Sequence, residues 1–112
     1  MKAKITNSEL CLVIANSFLI LFLIGGVFNY IVVTNNDNLM PVLYESEYKD
    51  DSHFSYQNPL TIKYWILSDV IYLLGNILSI GDSFLLIGMI GHIFFLFLFI
   101  KTKIKFKTRR KK

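Results

Sequence analysis

The sequence predicts an all-α integral membrane protein, and three observations support this fold class. Hydrophobic residues make up 54% of the 112-residue chain, and charged residues only 18%. A soluble domain this short has a large surface for its volume and needs more polar residues to cover it, whereas a disordered chain has few hydrophobic residues. The apolar residues are concentrated in two long stretches, 10–33 and 83–100, and the charges are segregated along the chain. Two transmembrane helices are therefore expected.

The first transmembrane helix is predicted at residues 10–33, after a short N-terminal segment of residues 1–9. Its 24 residues, at about 1.5 Å each, give about 36 Å, which exceeds the roughly 30 Å hydrocarbon core of a bilayer. The stretch is longer than the roughly 7–15 apolar residues of a cleaved signal peptide, and no small-residue cleavage site follows it. An uncleaved membrane anchor is expected. The polar residues within it are Asn16, Ser17, Asn29 and Tyr30.

Residues 34–63 are predicted to form a polar extracytoplasmic loop, because they are rich in the turn formers Asn and Pro. Residues 64–80 are predicted to form an amphipathic helix, lying in the outer membrane interface or dipping back as a re-entrant segment. Steps of three and four residues place its polar side chains on one helical stripe. These side chains are Ser68, Asp69, Tyr72, Asn76 and Ser79.

The second transmembrane helix is predicted at residues 83–100, and a basic cytoplasmic tail follows it. The tail can bind anionic lipid headgroups, at about 1 kcal/mol for each basic residue near the surface. No specific nucleic-acid partner is indicated. The basic residues of the tail are Lys101, Lys103, Lys105, Lys107, Arg109, Arg110, Lys111 and Lys112.

The distribution of charge predicts the orientation in the membrane. Residues 34–83 contain seven acidic residues and two basic residues, whereas the last twelve residues contain eight basic residues and no acidic one. Short basic segments beside membrane spans stay cytoplasmic. Both termini are therefore expected in the cytoplasm, and a third span at 64–80 is disfavoured because it would move one terminus outside. The enrichment in Ile, Phe, Lys, Asn and Tyr is typical of an AT-rich bacterial genome, so a bacterial inner membrane is expected.

Three short motifs resemble an uncharacterised bacterial membrane-protein family, a domain of unknown function. That family has an Asn at the end of one helix, an N-G-G-x-M-P-V segment in the loop, an L-G-D step, and S-[IV]-G-D at the start of its last helix. The resemblance covers about residues 28–98. Asp37, Asn38 and Ser68 stand where the family has glycines, and the chain corresponds to the C-terminal half of longer members. The residues that match the motifs are Asn29, Asn36, Met40, Pro41, Val42, Asp69, Ser79, Gly81 and Asp82.

Three ionisable residues are candidates for chemistry. Asp82 precedes the last apolar stretch and is expected to cap that helix, facing the positive end of its dipole. Asp69 is expected either to face water on the interfacial helix or, if the segment dips inward, to approach Asp82 and share a cation or a proton with it. His92 lies inside the second span, either as a proton relay or as a neutral group bonded across helices to Asn16 or Ser17.

The sequence contains no arranged nucleophile, Gly-rich phosphate loop or metal-ligand motif. An enzyme is therefore not expected, nor is a cofactor or a metal. The preferred hypothesis is a small membrane protein with a structural or regulatory role through helix association, as a homo-oligomer or with a partner membrane protein. The alternative is a subunit of a proton- or cation-linked transporter or channel that uses Asp69, Asp82 and His92.

Overall fold

The computed structural model describes residues 4–110, without the side chains of residues 106–110. Along the chain, one long helix precedes and another follows a region of short strands and 3₁₀ turns. In chain order the elements are α1 (Asn7–Thr34), β1 (Met40–Leu43), β2 (His53–Tyr56), 3₁₀ helices at Pro59–Thr61 and Trp65–Leu67, β3 (Ile71–Leu73), β4 (Asn76–Leu78) and α2 (Ile80–Arg110).

Both predicted apolar helices are present, and each is longer than expected. By length and composition, Asn7–Thr34 and Ile80–Lys105 are long and apolar enough to cross a membrane. α1 begins one turn earlier than predicted because Thr6 and Glu9 form a capping box. The Glu9 amide donates to Thr6 Oγ1 at 3.2 Å, and the Thr6 amide donates to the Glu9 carboxylate at 3.3 Å.

α2 also extends beyond its predicted bounds of 83–100. It begins at Ile80 because Ser79, rather than a later residue, is the N-cap. At its other end, α2 continues to Arg110, through most of the segment predicted as a basic tail. Lys and Arg have high helix propensity and favour the carboxyl end of a helix, where the dipole is negative.

The prediction of a helix at residues 64–80 is wrong. The segment instead contains the 3₁₀ turn and the antiparallel hairpin of β3 and β4, so the chain is not all-α. Val70, Ile71 and Tyr72 favour extended structure, and Leu74 and Gly75 adopt the left-handed φ values of 48° and 81° that a two-residue hairpin turn requires. The polar stripe therefore matched a helical period by coincidence of spacing.

The predicted loop of residues 34–63 contains two strands. β1 and β2 pair in parallel, with Met40 opposite His53 and Leu43 opposite Tyr56. On its other side, β1 pairs with Asp69: the Asp69 amide donates to Pro41 O, and the Leu43 amide donates to Asp69 O, both at 2.9 Å. β1 is thus the central strand of this region, and Met40, Pro41 and Val42 are buried.

The chain divides into two compact units. The first comprises α1 up to Phe22 and α2 from Leu86 onward, and the second comprises Leu23–Leu85. In the first unit, Gly88 lies against the backbone of Phe18 and Phe22. The Phe18 and Phe95 rings stack with centroids 5.7 Å apart. The small residues of α2 therefore allow close helix contact in this unit, as expected for membrane helices.

In the second unit, the end of α1 meets the start of α2. A Cβ atom at Gly25 would lie 2.5 Å from the carbonyl oxygen of Gly81, so the two backbones touch. Phe28 and Phe84 pack beside this contact, with ring centroids 5.7 Å apart. The strands β1–β4 belong to the same unit, so this helix contact and the β region form one folded body.

Candidate functional site

Three of the motif residues form a closed set of hydrogen bonds, here called the Asn29–Ser79–Asp82 ring. Asn29 Nδ2 donates to Asp82 Oδ1 at 2.8 Å, and Ser79 Oγ donates to Asn29 Oδ1 at 2.7 Å. The Asp82 amide donates to Ser79 Oγ at 2.9 Å, and the Ser79 amide donates to Asp82 Oδ2 at 3.2 Å. The last two bonds are a capping box, in which Ser79 is the N-cap of α2 and the Asp82 carboxylate accepts from the Ser79 amide. Asp82 therefore takes part in the capping of α2, but as the third residue of the helix and not as the N-cap.

Gly81 makes the ring possible. A Cβ atom at this position would collide with the side chain of Asn29 and would lie 2.6 Å from Gly25 O. Each defined position of the S-x-G-D motif therefore has a structural reason: Ser79 caps the helix, Gly81 allows the close approach of α1, and Asp82 completes the capping box and bonds Asn29. Ser79 is fully buried, whereas Asn29 and Asp82 are half-buried.

Asp69 is the buried acid of the site. Its residue is only 5% exposed, and Oδ1 has no hydrogen-bond partner among the described residues. The pKa of Asp69 is raised to about 7, chiefly by burial and also by the negative charge of Asp82, against the opposing effect of His53. The expectation that Asp69 faces water is wrong, because its backbone pairs with β1 and carries the side chain inward. The alternative, in which Asp69 shares a cation or a proton with Asp82, stays a prediction; the charge of Asp82 does influence the pKa of Asp69.

His53, which sequence reasoning missed, lies between two carboxylates. Its Nε2 is 3.8 Å from Asp69 Oδ2, and its Nδ1 is 3.3 Å from Asp50 Oδ1. Hydrogen bonds from the backbone of Ser52 and of His53 hold the pKa of the exposed Asp50 below its usual value. The parallel register of β1 and β2 places His53 opposite Met40. No sequence signal identified this pairing, because a parallel ladder between short strands is not visible in spacing.

The loop motif has a structural role. Asn36 Nδ2 donates to Val32 O at 2.7 Å and to Lys63 O at 3.0 Å, which ties the end of α1 to the chain before the Trp65–Leu67 turn. Asp37 and Asn38 have φ values of 56° and 59°. These are the two positions at which the resembled motif has glycine, and the left-handed conformation is the one glycine adopts most easily.

His92 is part of the first unit and not of this site. Its Nδ1 lies 2.8 Å from the carbonyl oxygen of Ala15. A carbonyl only accepts, so Nδ1 carries the proton. The expected partners were wrong: Ser17 Oγ donates to Val13 O in its own helix at 2.9 Å, and Asn16 has no hydrogen bond among the described residues. No hydrogen bond or ion pair in the described part of the chain joins His92 to Asp69 or Asp82.

The basic residues of α2 are described in part. Lys101, Lys103 and Lys105 are exposed, and Lys103 Nζ lies 5.3 Å from the centroid of the Phe99 ring. The side chains of Lys107, Arg109 and Arg110, and the whole of Lys111 and Lys112, lie outside the described part of the structure.

The arrangement can hold and release a proton, because the buried carboxyl of Asp69 has a raised pKa and lies 3.8 Å from the imidazole of His53. No group of three or more His, Cys, Asp or Glu residues able to hold a metal ion is found within residues 4–110, as far as they are described. Comparisons of the chain with known protein families, with curated proteins and with solved structures find no match.

Proposed function

We propose that the chain is a non-enzymatic integral membrane protein of a bacterial inner membrane. α1 and α2 cross the bilayer, both termini are cytoplasmic, and the β region of the second unit lies outside. The protein acts through association with another membrane protein or with a second copy of itself. The basic residues at the end of α2 contact anionic lipid on the cytoplasmic side.

The exposure of the two apolar helices carries this proposal. Only 11% of the most apolar stretch of α1, and 6% of that of α2, is buried within the protein. A core helix of a soluble protein would be mostly covered by its own chain, whereas large exposed apolar surfaces mark contact with lipid or with a partner. The acidic residues between the two helices and the basic residues at the end of the chain support the proposed orientation, with both termini in the cytoplasm.

Alkaline carbonate extraction of membranes from cells that produce the chain tests the anchoring. An integral protein stays in the pellet, whereas a peripheral protein is released into the supernatant. We expect the chain in the pellet. Its appearance in the carbonate supernatant would contradict the proposal.

A proton-linked transport function is a second candidate, and the buried Asp69 is the observation that favours it. Its unpartnered oxygen and its raised pKa are properties of groups that exchange protons near neutrality. Proteoliposomes with an internal pH dye test this candidate. It predicts a proton flux that Asp69→Asn abolishes and that Asp51→Asn, at an exposed residue with no hydrogen bond among the described residues, leaves unchanged. Absence of flux at every pH would remove it.

A further inference from the structure

One face of α1 is apolar, exposed and spaced in heptads. Val13, Ile20 and Val27 follow one another at intervals of seven residues, and each is more than half exposed. Asn16 and Leu23 follow the first two of these by three residues and are also exposed. These five residues are called the α1 seam. Val13, Ile20 and Val27 thus share one heptad position, and Asn16 and Leu23 share the other. β-branched residues at the first position, with Leu at the second, favour a parallel two-stranded coiled coil.

Asn16 is the polar residue of the α1 seam, and its side-chain amide forms no hydrogen bond with the described residues. It lies six residues after Leu10, about 9 Å into the apolar stretch. Ser17 and His92, its polar neighbours in the first unit, each bond a backbone carbonyl of α1. The Asn16 side chain has no hydrogen-bond partner among the described residues, so neither its donors nor its acceptor is used there.

Lipid cannot satisfy this amide. Acyl chains offer neither donors nor acceptors, and an amide without a hydrogen bond in an apolar medium is disfavoured by several kcal/mol. The apolar members of the seam would be covered equally well by lipid or by protein. Asn16 favours coverage by protein over coverage by lipid, because only a polar group from another helix can form the hydrogen bond that its side-chain amide lacks.

A second copy of the chain has the chemistry that Asn16 needs. The Asn amide is both donor and acceptor, so it is complementary to itself. Copies inserted with the same orientation present their α1 helices in parallel, and a two-fold axis along the membrane normal then places each Asn16 beside its equivalent. The heptad spacing keeps the remaining seam residues in contact along the helix, and one polar seam residue fixes the register.

We propose that the chain forms a parallel homodimer in the membrane through the α1 seam, with the two Asn16 amides hydrogen-bonded to each other. This inference rests on the proposed membrane insertion. It names the partner that the proposed function leaves open.

Cysteine cross-linking in membranes tests the geometry with a matched pair of variants. In a Cys11→Ser background, Ile20→Cys places a thiol in the seam, and Ile93→Cys places one on α2 at nearly the same exposure, 61% against 59%. We expect mild oxidation to convert Ile20→Cys to a disulfide-linked dimer and to leave Ile93→Cys monomeric. Equal cross-linking of the two, or preferential cross-linking of Ile93→Cys, would overturn the proposal.

Energy transfer between labelled copies in liposomes tests the role of Asn16. We expect Asn16→Leu to raise the dimer dissociation constant about 3- to 30-fold, the range measured for hydrogen bonds between membrane helices. Ser17→Ala, which removes a bond internal to α1, should leave it unchanged. If the chain stays in the carbonate pellet but is monomeric, or if Asn16→Leu leaves the dimer dissociation constant unchanged, the proposed dimer is contradicted and membrane insertion is not. If carbonate releases the chain, both membrane insertion and the dimer are contradicted.

Discussion

Asp69 links the ionisation of one side chain to the stability of the second unit. Its carboxyl is buried where β1 pairs with residue 69; His53 on β2 lies 3.8 Å from it, and the charge of Asp82 on α2 raises its pKa. Tyr48 and Tyr56 are close enough for the charge of Asp69 to raise their own pKa values, after the larger effect of their burial. The neutral carboxyl fits this environment, because one of its oxygens has no partner and a negative charge there is poorly solvated.

The first prediction concerns the pH dependence of stability. An unfolded Asp ionises near pH 3.8, and folded Asp69 near pH 7, so the folded state binds the extra proton between these values. The free energy of unfolding should therefore fall as the pH rises from about 4 to about 7, and then level off. Asp69→Asn, which is neutral at every pH, should be more stable than the wild type at pH 8.

Denaturation in detergent at pH 5 and pH 8, followed by the fluorescence of Trp65, measures this effect; the chain contains one Trp. The comparison is between variants rather than within one curve. Asp51→Asn, at an exposed carboxylate, is the control and should retain the wild-type slope. If Asp69→Asn also retained that slope, the buried-acid interpretation would be incorrect.

The second prediction concerns Asn29, which bonds both Asp82 and Ser79. Asn29→Ala removes the partner of the half-buried Asp82 Oδ1 and of the buried Ser79 hydroxyl. We expect a loss of about 1–3 kcal/mol in the free energy of unfolding. Asn76→Ala, at an exposed strand residue, should change stability by less than about 0.5 kcal/mol. Similar values for the two variants would show that the ring contributes little.

Among the elements, the contact between α1 and α2 in the second unit depends on glycines at defined positions. Gly25 and Gly81 approach through their backbones, whereas a Cβ atom at Gly26 would lie 3.9 Å from a side-chain atom of Leu85. An ordinary van der Waals contact is tolerated, but a collision with backbone atoms forces the helices apart. Adjacent glycines on one helix therefore have different roles.

The third prediction uses this difference. Gly81→Ala should destabilise the protein by about 2 kcal/mol or more, because the new methyl group collides with Asn29 and with Gly25 O. Gly26→Ala should be neutral or slightly stabilising, because Ala favours the helix by up to about 1 kcal/mol over Gly. Thermal unfolding in detergent compares the two. A Gly81→Ala protein as stable as the Gly26→Ala protein would contradict the described helix contact.

The helices were predictable from the sequence, and the strands were not. Long apolar stretches define α1 and α2, and a capping role of Asp82 follows from the position of an acid before such a stretch, although the N-cap is Ser79. β1, β2 and residue 69 pair in parallel over long sequence separations, and such pairing leaves no local periodicity to detect. Residues 64–80 were misassigned because five polar residues at helical spacing outweighed Val70, Ile71 and the Leu74–Gly75 turn. Burial of Asp69 depends on that pairing, so it could not be anticipated either.

In the whole chain, charge and apolar surface point to one arrangement in the membrane. Along the chain, a region with an excess of acidic residues lies between two helices that are long enough to cross a bilayer. The second of these helices ends in a run of basic residues. Positive segments resist translocation across the membrane. In the proposed arrangement, an even number of spans leaves both termini on the cytoplasmic side and the strands outside.

The fourth prediction tests this arrangement, which is the central claim. In a Cys11→Ser background, Asp51→Cys and Lys105→Cys each place one thiol at an exposed position, the first between the strands and the second near the end of α2. A membrane-impermeant maleimide added to intact cells whose outer membrane is permeabilised should label Asp51→Cys. It should label Lys105→Cys only after the inner membrane is opened. Labelling of Lys105→Cys with the inner membrane closed, together with protection of Asp51→Cys, would contradict the account.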